Sequence, residues 1–365
     1  MRYVIRIIAT RIVVALAAGL LFQDRLRQLL AVNALFEEDR IVSNFSAMTD
    51  LFFSTEMPRG AGAVSPLLEC AALALPDGYD AWVENRSVTS VIVLKNGEIV
   101  HEAYYRGTGP DDRRISWSVA KSYLSTLFGT AVDRGEIASL DDPVTRYAPS
   151  LAGRAYDTAT IRNVLQMSSG VVYDEDYFDF RSDINRMGRV LALGRSKDRF
   201  AEDLSETFAP PGTRWRYTSI DTHVLGMVLR GATGESVVGL LNERILTPLG
   251  LEQDGAYVTD GNGVAFVLGG LNFTTRDYAR FGQMILQGGT WQGTRIVSED
   301  WLREATRATA NTAPGAIKYG YQWWIPADAD TSDPDHPFLG RGIYGQHLYV
   351  DPKREVVIMQ TGADR

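Results

Sequence analysis

The segment Ile115-Ser116-Trp117-Ser118-Val119-Ala120-Lys121-Ser122-Tyr123-Leu124 constrains the fold most, because it sets a lysine inside an apolar helical pattern. Ala120, Tyr123, Leu124, Leu127, Phe128, Ala131 and Val132 recur at helical spacing, which predicts a core-facing helix starting near Ser118. On such a helix Ser118 and Lys121 share one face, about one turn apart. A serine hydroxyl is a poor nucleophile until a neighbour takes its proton, and a lysine can do so only if burial lowers its pKa. The helix N-terminus adds unpaired N–H groups and a positive dipole end, both suited to a developing oxyanion. On a surface helix the same spacing means only a serine near the start and a solvated lysine. Of Lys95, Lys121, Lys197, Lys318 and Lys353, only Lys121 has a serine three residues before it, and its neighbours are core-like.

With 365 residues, 45% of them hydrophobic, the chain has material for one large or two intermingled domains. A net charge of −8 leaves no basic stripe for phosphates, so nucleic acid is not an expected partner. Cys70 is the sole cysteine, which excludes an intrachain disulfide and a cysteine-rich metal site. His101, His223, His336 and His347 are widely spaced, without a His-x-x-x-His pair, so a zinc site is not expected.

Residues 1–22 join Arg2, Arg6 and Arg11 to the apolar run Ile12–Phe22, the pattern of an export signal. Gln23-Asp24-Arg25 follows where a small-x-small cleavage site would stand. The expectation is an uncleaved signal anchor or an exported protein, periplasmic or attached to the inner membrane. The alternative is a cytoplasmic protein with an amphipathic terminal helix packed on its fold. Residues 23–84 form an N-terminal arm, expected to be loop-rich from Asn44 to Gly62, with a short helix at Tyr79–Glu84.

Val88–Lys95 and Glu98–Tyr105 are β-rich runs joined by Asn96-Gly97, a strong hairpin signal. Helices are expected at Thr160–Met167, Val224–Leu229, Val237–Ile245 and Tyr278–Leu286, and an acidic, aromatic loop at Asp174–Asp183. Strands return at Tyr319–Ile325, Ile343–Val350 and Glu355–Gln360. This order predicts an α+β fold, with an antiparallel sheet built from both chain ends, flanked by helices, and a largely helical insertion at about 140–290 within a domain spanning 85–365.

These motifs, in order, resemble the serine β-lactamase and penicillin-binding-protein superfamily, most of all its class C-like branch of esterases and 6-aminohexanoate-dimer hydrolases. The resemblance covers residues 85–360 or so. Ser118-Val119-Ala120-Lys121 matches its Ser-x-x-Lys motif, and Leu140-Asp141-Asp142-Pro143-Val144 and Met167-Ser168-Ser169-Gly170 match two turn segments. Tyr217-Thr218-Ser219 falls where the family has Tyr-x-Asn, and Ile343-Tyr344-Gly345, expected on a late strand, where it has Lys-Thr-Gly. The resemblance implies that Ser118 is the acylated nucleophile, Lys121 its base and Tyr217 the proton shuttle to the leaving group. It puts the oxyanion hole at the backbone N–H groups of Ser118 and Gln346, and substrate contacts at Tyr177, Ser219, Ile343, Tyr344 and Gly345. Without it, Tyr217 reads as an aromatic packed beside Trp215, and Gly345 as a bulge or close strand contact.

The reaction so implied is hydrolysis of small amides or esters through an acyl-enzyme, with no metal or organic cofactor. Ile343 and Ser219 replace residues that help bind β-lactams in the family, which counts against the alternative of a β-lactamase or D,D-peptidase. A third reading, a non-catalytic ligand-binding descendant, leaves the retention of Ser118, Lys121 and Tyr217 without a reason. A Ser-His-Asp arrangement through His223 or His347 stays open on sequence alone. The acidic loop suggests attraction of an amine-bearing substrate. The family also continues into a terminal helix after its last strand, whereas this chain ends at Arg365, so either the sequence is truncated or one sheet face is covered differently.

Overall fold

The computed structural model describes residues 28–365. The expected signal or anchor at 1–22 lies outside the described residues, and among those described no single helix is long and apolar enough to cross a membrane.

The larger sheet is built on the Val88–Lys95 strand, buried along most of its length. Asn96 and Gly97 both take positive φ (52° and 82°), so they turn the chain directly into Glu98–Tyr104. On its other edge Val88–Lys95 pairs antiparallel with Val356–Gly362, the last strand of the chain. The sheet is thus closed by both chain ends, as expected. Its eight strands run in the order Lys318–Tyr319, Trp324–Ile325, Phe338–Gly342, Gln346–Asp351, Val356–Gly362, Val88–Lys95, Glu98–Tyr104 and Leu68–Glu69.

Strand alternation turns Ile92, Leu94, Leu348, Val357 and Met359 to one face, all fully buried. The Thr275–Leu286 helix packs on that face. Its Gly282 permits the close approach, since a Cβ there would stand 2.6 Å from Val357 Cγ1 and 2.7 Å from Leu348 Cδ1. The opposite face is covered in part by the Tyr79–Asn85 helix, whose Val83 packs with Val88 and Val91.

Between sheet and helical region runs the Ala120–Asp133 helix, buried from Ala120 to Ala131. Tyr123 stacks on Phe281 with ring centroids 3.6 Å apart, and Trp301 Nε1 donates to the Ser125 carbonyl at 3.0 Å. A second, four-stranded sheet joins Ser54–Met57, Gly255–Val258, Leu271–Phe273 and Arg114–Ile115. It delivers the chain to the Ser118 segment.

Several expectations need correction. Residues expected to be loop-rich carry the helices Ile41–Ser46 and Met48–Leu51 and the strand Ser54–Met57. Leu35, Ile41, Phe45 and Met48 anchor this arm in the main core. Tyr319–Ile325 is two short strands, because the Tyr321 N–H leaves the ladder for the Ala305 carbonyl and Gln322 takes φ 62°. Ile343-Tyr344-Gly345 is a tight turn between Phe338–Gly342 and Gln346–Asp351, with Tyr344 at φ 60° and Gly345 at φ 87°. The helices Asp183–Ala192 and Lys197–Glu202 were not expected.

Candidate active site

Ser118 sits in a single 3-10 turn, Trp117–Val119, that runs into the Ala120–Asp133 helix. The turn is held from both sides. The Ser116 N–H donates to the Leu271 carbonyl of the small sheet at 2.8 Å, and Trp117 adopts φ 41°, left-handed backbone that a non-glycine residue rarely takes. Ser118 is thereby presented at the start of a buried helix.

One turn on, Lys121 Nζ lies 2.9 Å from Ser118 Oγ and 2.9 Å from the Leu268 carbonyl oxygen. Lys121 is 2% exposed. Burial drives its pKa down to about 7, with the Glu175 carboxylate pulling the other way. Near neutral pH a large fraction of Lys121 is therefore a free amine beside the hydroxyl. None of the histidines hydrogen-bonds Ser118. His223 bonds Asp198 through Nε2 at 2.8 Å, and His347 stands on the Gln346–Asp351 strand opposite Arg341 and Gln360.

Tyr217 leads into the Ser219–Thr233 helix, its ring stacked on Trp324 at 5.0 Å and 5.3 Å from Lys121 Nζ. The Ser118 and Ser219 hydroxyls neighbour its phenol and favour its ionised form. Burial first, then the Glu175 charge, pushes its pKa well above the ordinary tyrosine value, so it stays protonated at neutral pH. The packing against Trp215 that the bare sequence suggested runs through Tyr319 and Trp324, each of which contacts both rings.

Glu175 is the site residue that motif reading passed over. It accepts the Tyr177 hydroxyl at 3.1 Å and the Ser219 backbone N–H, and so ties the acidic loop to the helix behind Tyr217. Its acidic loop was visible in sequence; its approach to Lys121 and Tyr217 was not. Nearby, Asp221 accepts the Tyr156 and Ser169 hydroxyls at 2.6 and 2.8 Å, and burial raises its pKa to about 7. The Ser168-Ser169-Gly170 segment is thus fastened to the same helix.

Gln346 and the turn before it close the other side. A Cβ added to Gly342 would meet Ser118 N at 3.1 Å and Gln346 Cβ at 3.0 Å, so the residues assigned to the oxyanion hole converge around this glycine. The Gln346 side chain holds the turn by donating to the Ile343, Tyr344 and Gly362 carbonyls and accepting the Gly362 N–H. Tyr177, Ser219 and Ile343 line the cavity that opens onto Ser118 and Lys121. Tyr344 stacks instead on Phe36 at 4.7 Å, and Gly345 lies behind the turn beside Gln360 and Gly362.

The cavity is about 290 Å³. Of the acidic loop only Glu175 turns its carboxylate toward the site; Asp174, Asp176 and Asp179 accept backbone N–H groups of their own loop. Among the described residues no three His, Cys, Asp or Glu side chains gather where a metal could be held.

Residues 80–360 match the β-lactamase family model. The 6-aminohexanoate-dimer hydrolase of Paenarthrobacter ureafaciens is 33% identical over 310 residues, covering 81% of this chain and 77% of that protein. Esterase EstB of Burkholderia gladioli is 32% identical over 221 residues, 52% of this chain and 53% of its own. The structure described as "Putative 6-aminohexanoate-dimer hydrolase from Bacillus anthracis" superposes with TM-score 0.79 at 23% identity, over 90% of each chain. At that identity it speaks for the β-lactamase/transpeptidase-like fold alone. By the family model and by the Paenarthrobacter relative, the chain belongs to the β-lactamase family of serine hydrolases.

Proposed function

We propose that the protein hydrolyses small amides or esters through an acyl-enzyme on Ser118. Lys121, as the free amine, takes the hydroxyl proton while Oγ attacks the carbonyl carbon. The backbone N–H groups of Ser118 and Gln346 receive the developing oxyanion. The phenol of Tyr217 hands a proton to the departing amine or alcohol and recovers one from Lys121. Water then attacks the ester of Ser118 by the reverse proton path, releasing the acid. The observation that carries this reading is the buried contact of 2.9 Å between Lys121 Nζ and Ser118 Oγ. The names of the Paenarthrobacter and Burkholderia relatives support amide and ester bonds as targets.

Ile343 offers no cation to a β-lactam carboxylate, so β-lactam turnover is expected to be weak. The basic and apolar residues 1–22 support export or membrane attachment through the N-terminus. A panel of short esters, 6-aminohexanoate dimer and nitrocefin, run on wild type beside Ser118→Ala, tests the proposal. Ester or amide turnover that disappears in Ser118→Ala supports it; equal turnover by the variant defeats it.

A further inference from the structure

The cavity beside Ser118 has walls that catalysis does not require. One is the N-terminal arm, through Val32, Leu35, Phe36, Met48 and Phe52. The other is the Asp183–Ala192 helix and the loop before it, through Phe178, Phe180, Ile184, Met187 and Leu191. Among the described residues no carboxylate lines it. Its basic lining groups are Lys121, which acts as the free amine in the proposed mechanism and is held by Ser118 and Leu268, and Arg189, whose guanidinium lies over the Phe180 ring at 4.0 Å; the Glu175 carboxylate stands behind the lining, taken up by the Tyr177 hydroxyl and the Ser219 N–H. A tail ending in an ammonium ion would give up its water beside the Arg189 guanidinium, with no carboxylate in the lining to replace it. An alkyl or aryl tail exchanges water for apolar side chains.

The geometry also says which half of the substrate enters. Neither Tyr217, whose ring borders the cavity 5.3 Å from Lys121 Nζ, nor Trp324, on which that ring stacks, is among the lining residues. A leaving group protonated by Tyr217 departs along that aromatic shelf, and the acyl group points the other way, into the cavity.

We propose that this cavity is an acyl pocket for an uncharged apolar chain or ring, making the preferred substrates esters or amides of medium-chain or aryl carboxylic acids and excluding acids with a terminal ammonium. The proposal rests on the reading of Ser118 as the acylated nucleophile. Burying each added methylene favours the bound state by up to about fourfold, so selectivity accumulates along the chain until the pocket is full.

The isomers ethyl hexanoate and hexyl acetate, with ethyl 6-aminohexanoate as the charged analogue, form the direct test, read as kcat/KM by acid release. Fluorophosphonate labelling of Ser118 is followed in parallel. We expect ethyl hexanoate to exceed each of the other two by about tenfold or more. Ile184→Asp, which brings a carboxylate to the half-buried wall, should lower the ratio of p-nitrophenyl hexanoate to p-nitrophenyl acetate by about tenfold, with Ser118 still labelled. Phe36→Ala should lower the same ratio without adding charge. If Ser118 is labelled but hexyl acetate or ethyl 6-aminohexanoate matches ethyl hexanoate, the acyl pocket is overturned and the nucleophile stands. If Ser118 is not labelled and no ester is hydrolysed, the underlying reading fails and the pocket assignment fails with it.

Discussion

The Leu268 carbonyl oxygen accepts a hydrogen bond from Lys121 Nζ at 2.9 Å, the same distance at which that nitrogen meets Ser118 Oγ. A backbone carbonyl partners the amine without adding a full charge, so the depressed pKa survives the contact. The amine is thereby aimed and kept deprotonatable by one interaction.

The first prediction concerns pH. In the proposed mechanism Lys121 acts as the free amine, and burial brings its pKa to about 7. The acylation rate should therefore rise with pH to a plateau, with a midpoint near 7, when read by single-turnover kinetics on an activated ester. Lys121→Met should remove the rise and cut the rate by about three orders of magnitude or more. Lys121 binds fewer protons folded than unfolded between pH 7 and its ordinary value, so its contribution to stability increases with pH across that window and is least favourable below it. Lys121→Met should accordingly raise Tm more at pH 6 than at pH 9; an equal change at both would contradict the burial argument.

Tyr217→Phe removes the phenol proposed to protonate the leaving group and leaves the Trp324 stack in place. Amides, whose amine must leave protonated, should lose about a hundredfold or more, and p-nitrophenyl esters far less. Equal losses on p-nitrophenyl acetate and an anilide would remove Tyr217 from that role.

Glu175→Gln keeps acceptors and donors for the Ser219 N–H and the Tyr177 hydroxyl but takes away the charge that raises the Lys121 pKa. The midpoint of the pH–rate profile should move down. An upward move would mean that Glu175 acts by another route.

Gly282 provides a fold-level check. A methyl group there collides with Val357 and Leu348, so Gly282→Ala should cost about 1–3 kcal/mol in urea unfolding. Gly188→Ala, on the Asp183–Ala192 helix with no atom within 4 Å of the added carbon, should be neutral or mildly stabilising.

What the sequence made legible was local. Asn96-Gly97 encodes its own turn, and Ser118 and Lys121 are one helical turn apart on a run of apolar residues, so the hairpin and the Ser118–Lys121 contact could both be read directly. Tyr217 was reachable only through the order of motifs that the family resemblance supplied. Glu175, Leu268 and Trp324 were beyond reach, because each meets the site from a remote stretch and carries no motif of its own. The late Ile343-Tyr344-Gly345 triplet looked like strand because isoleucine and tyrosine favour extended backbone, yet Gln346 holds it as a turn through contacts with Gly362. The arm's apolar residues read as part of a loop-rich lead-in until the core they join was visible, and the Asp183–Ala192 helix hid its Ile184, Met187 and Leu191 face among arginines.

The central claim is that Ser118 carries the acyl group. Peptide mapping by mass spectrometry of the folded protein, quenched during turnover of a slowly deacylated ester, tests it most directly. The account predicts an added acyl mass on the peptide containing Ser118 and none in Ser118→Ala. An acyl mass on any other residue, or undiminished turnover by Ser118→Ala, would contradict it.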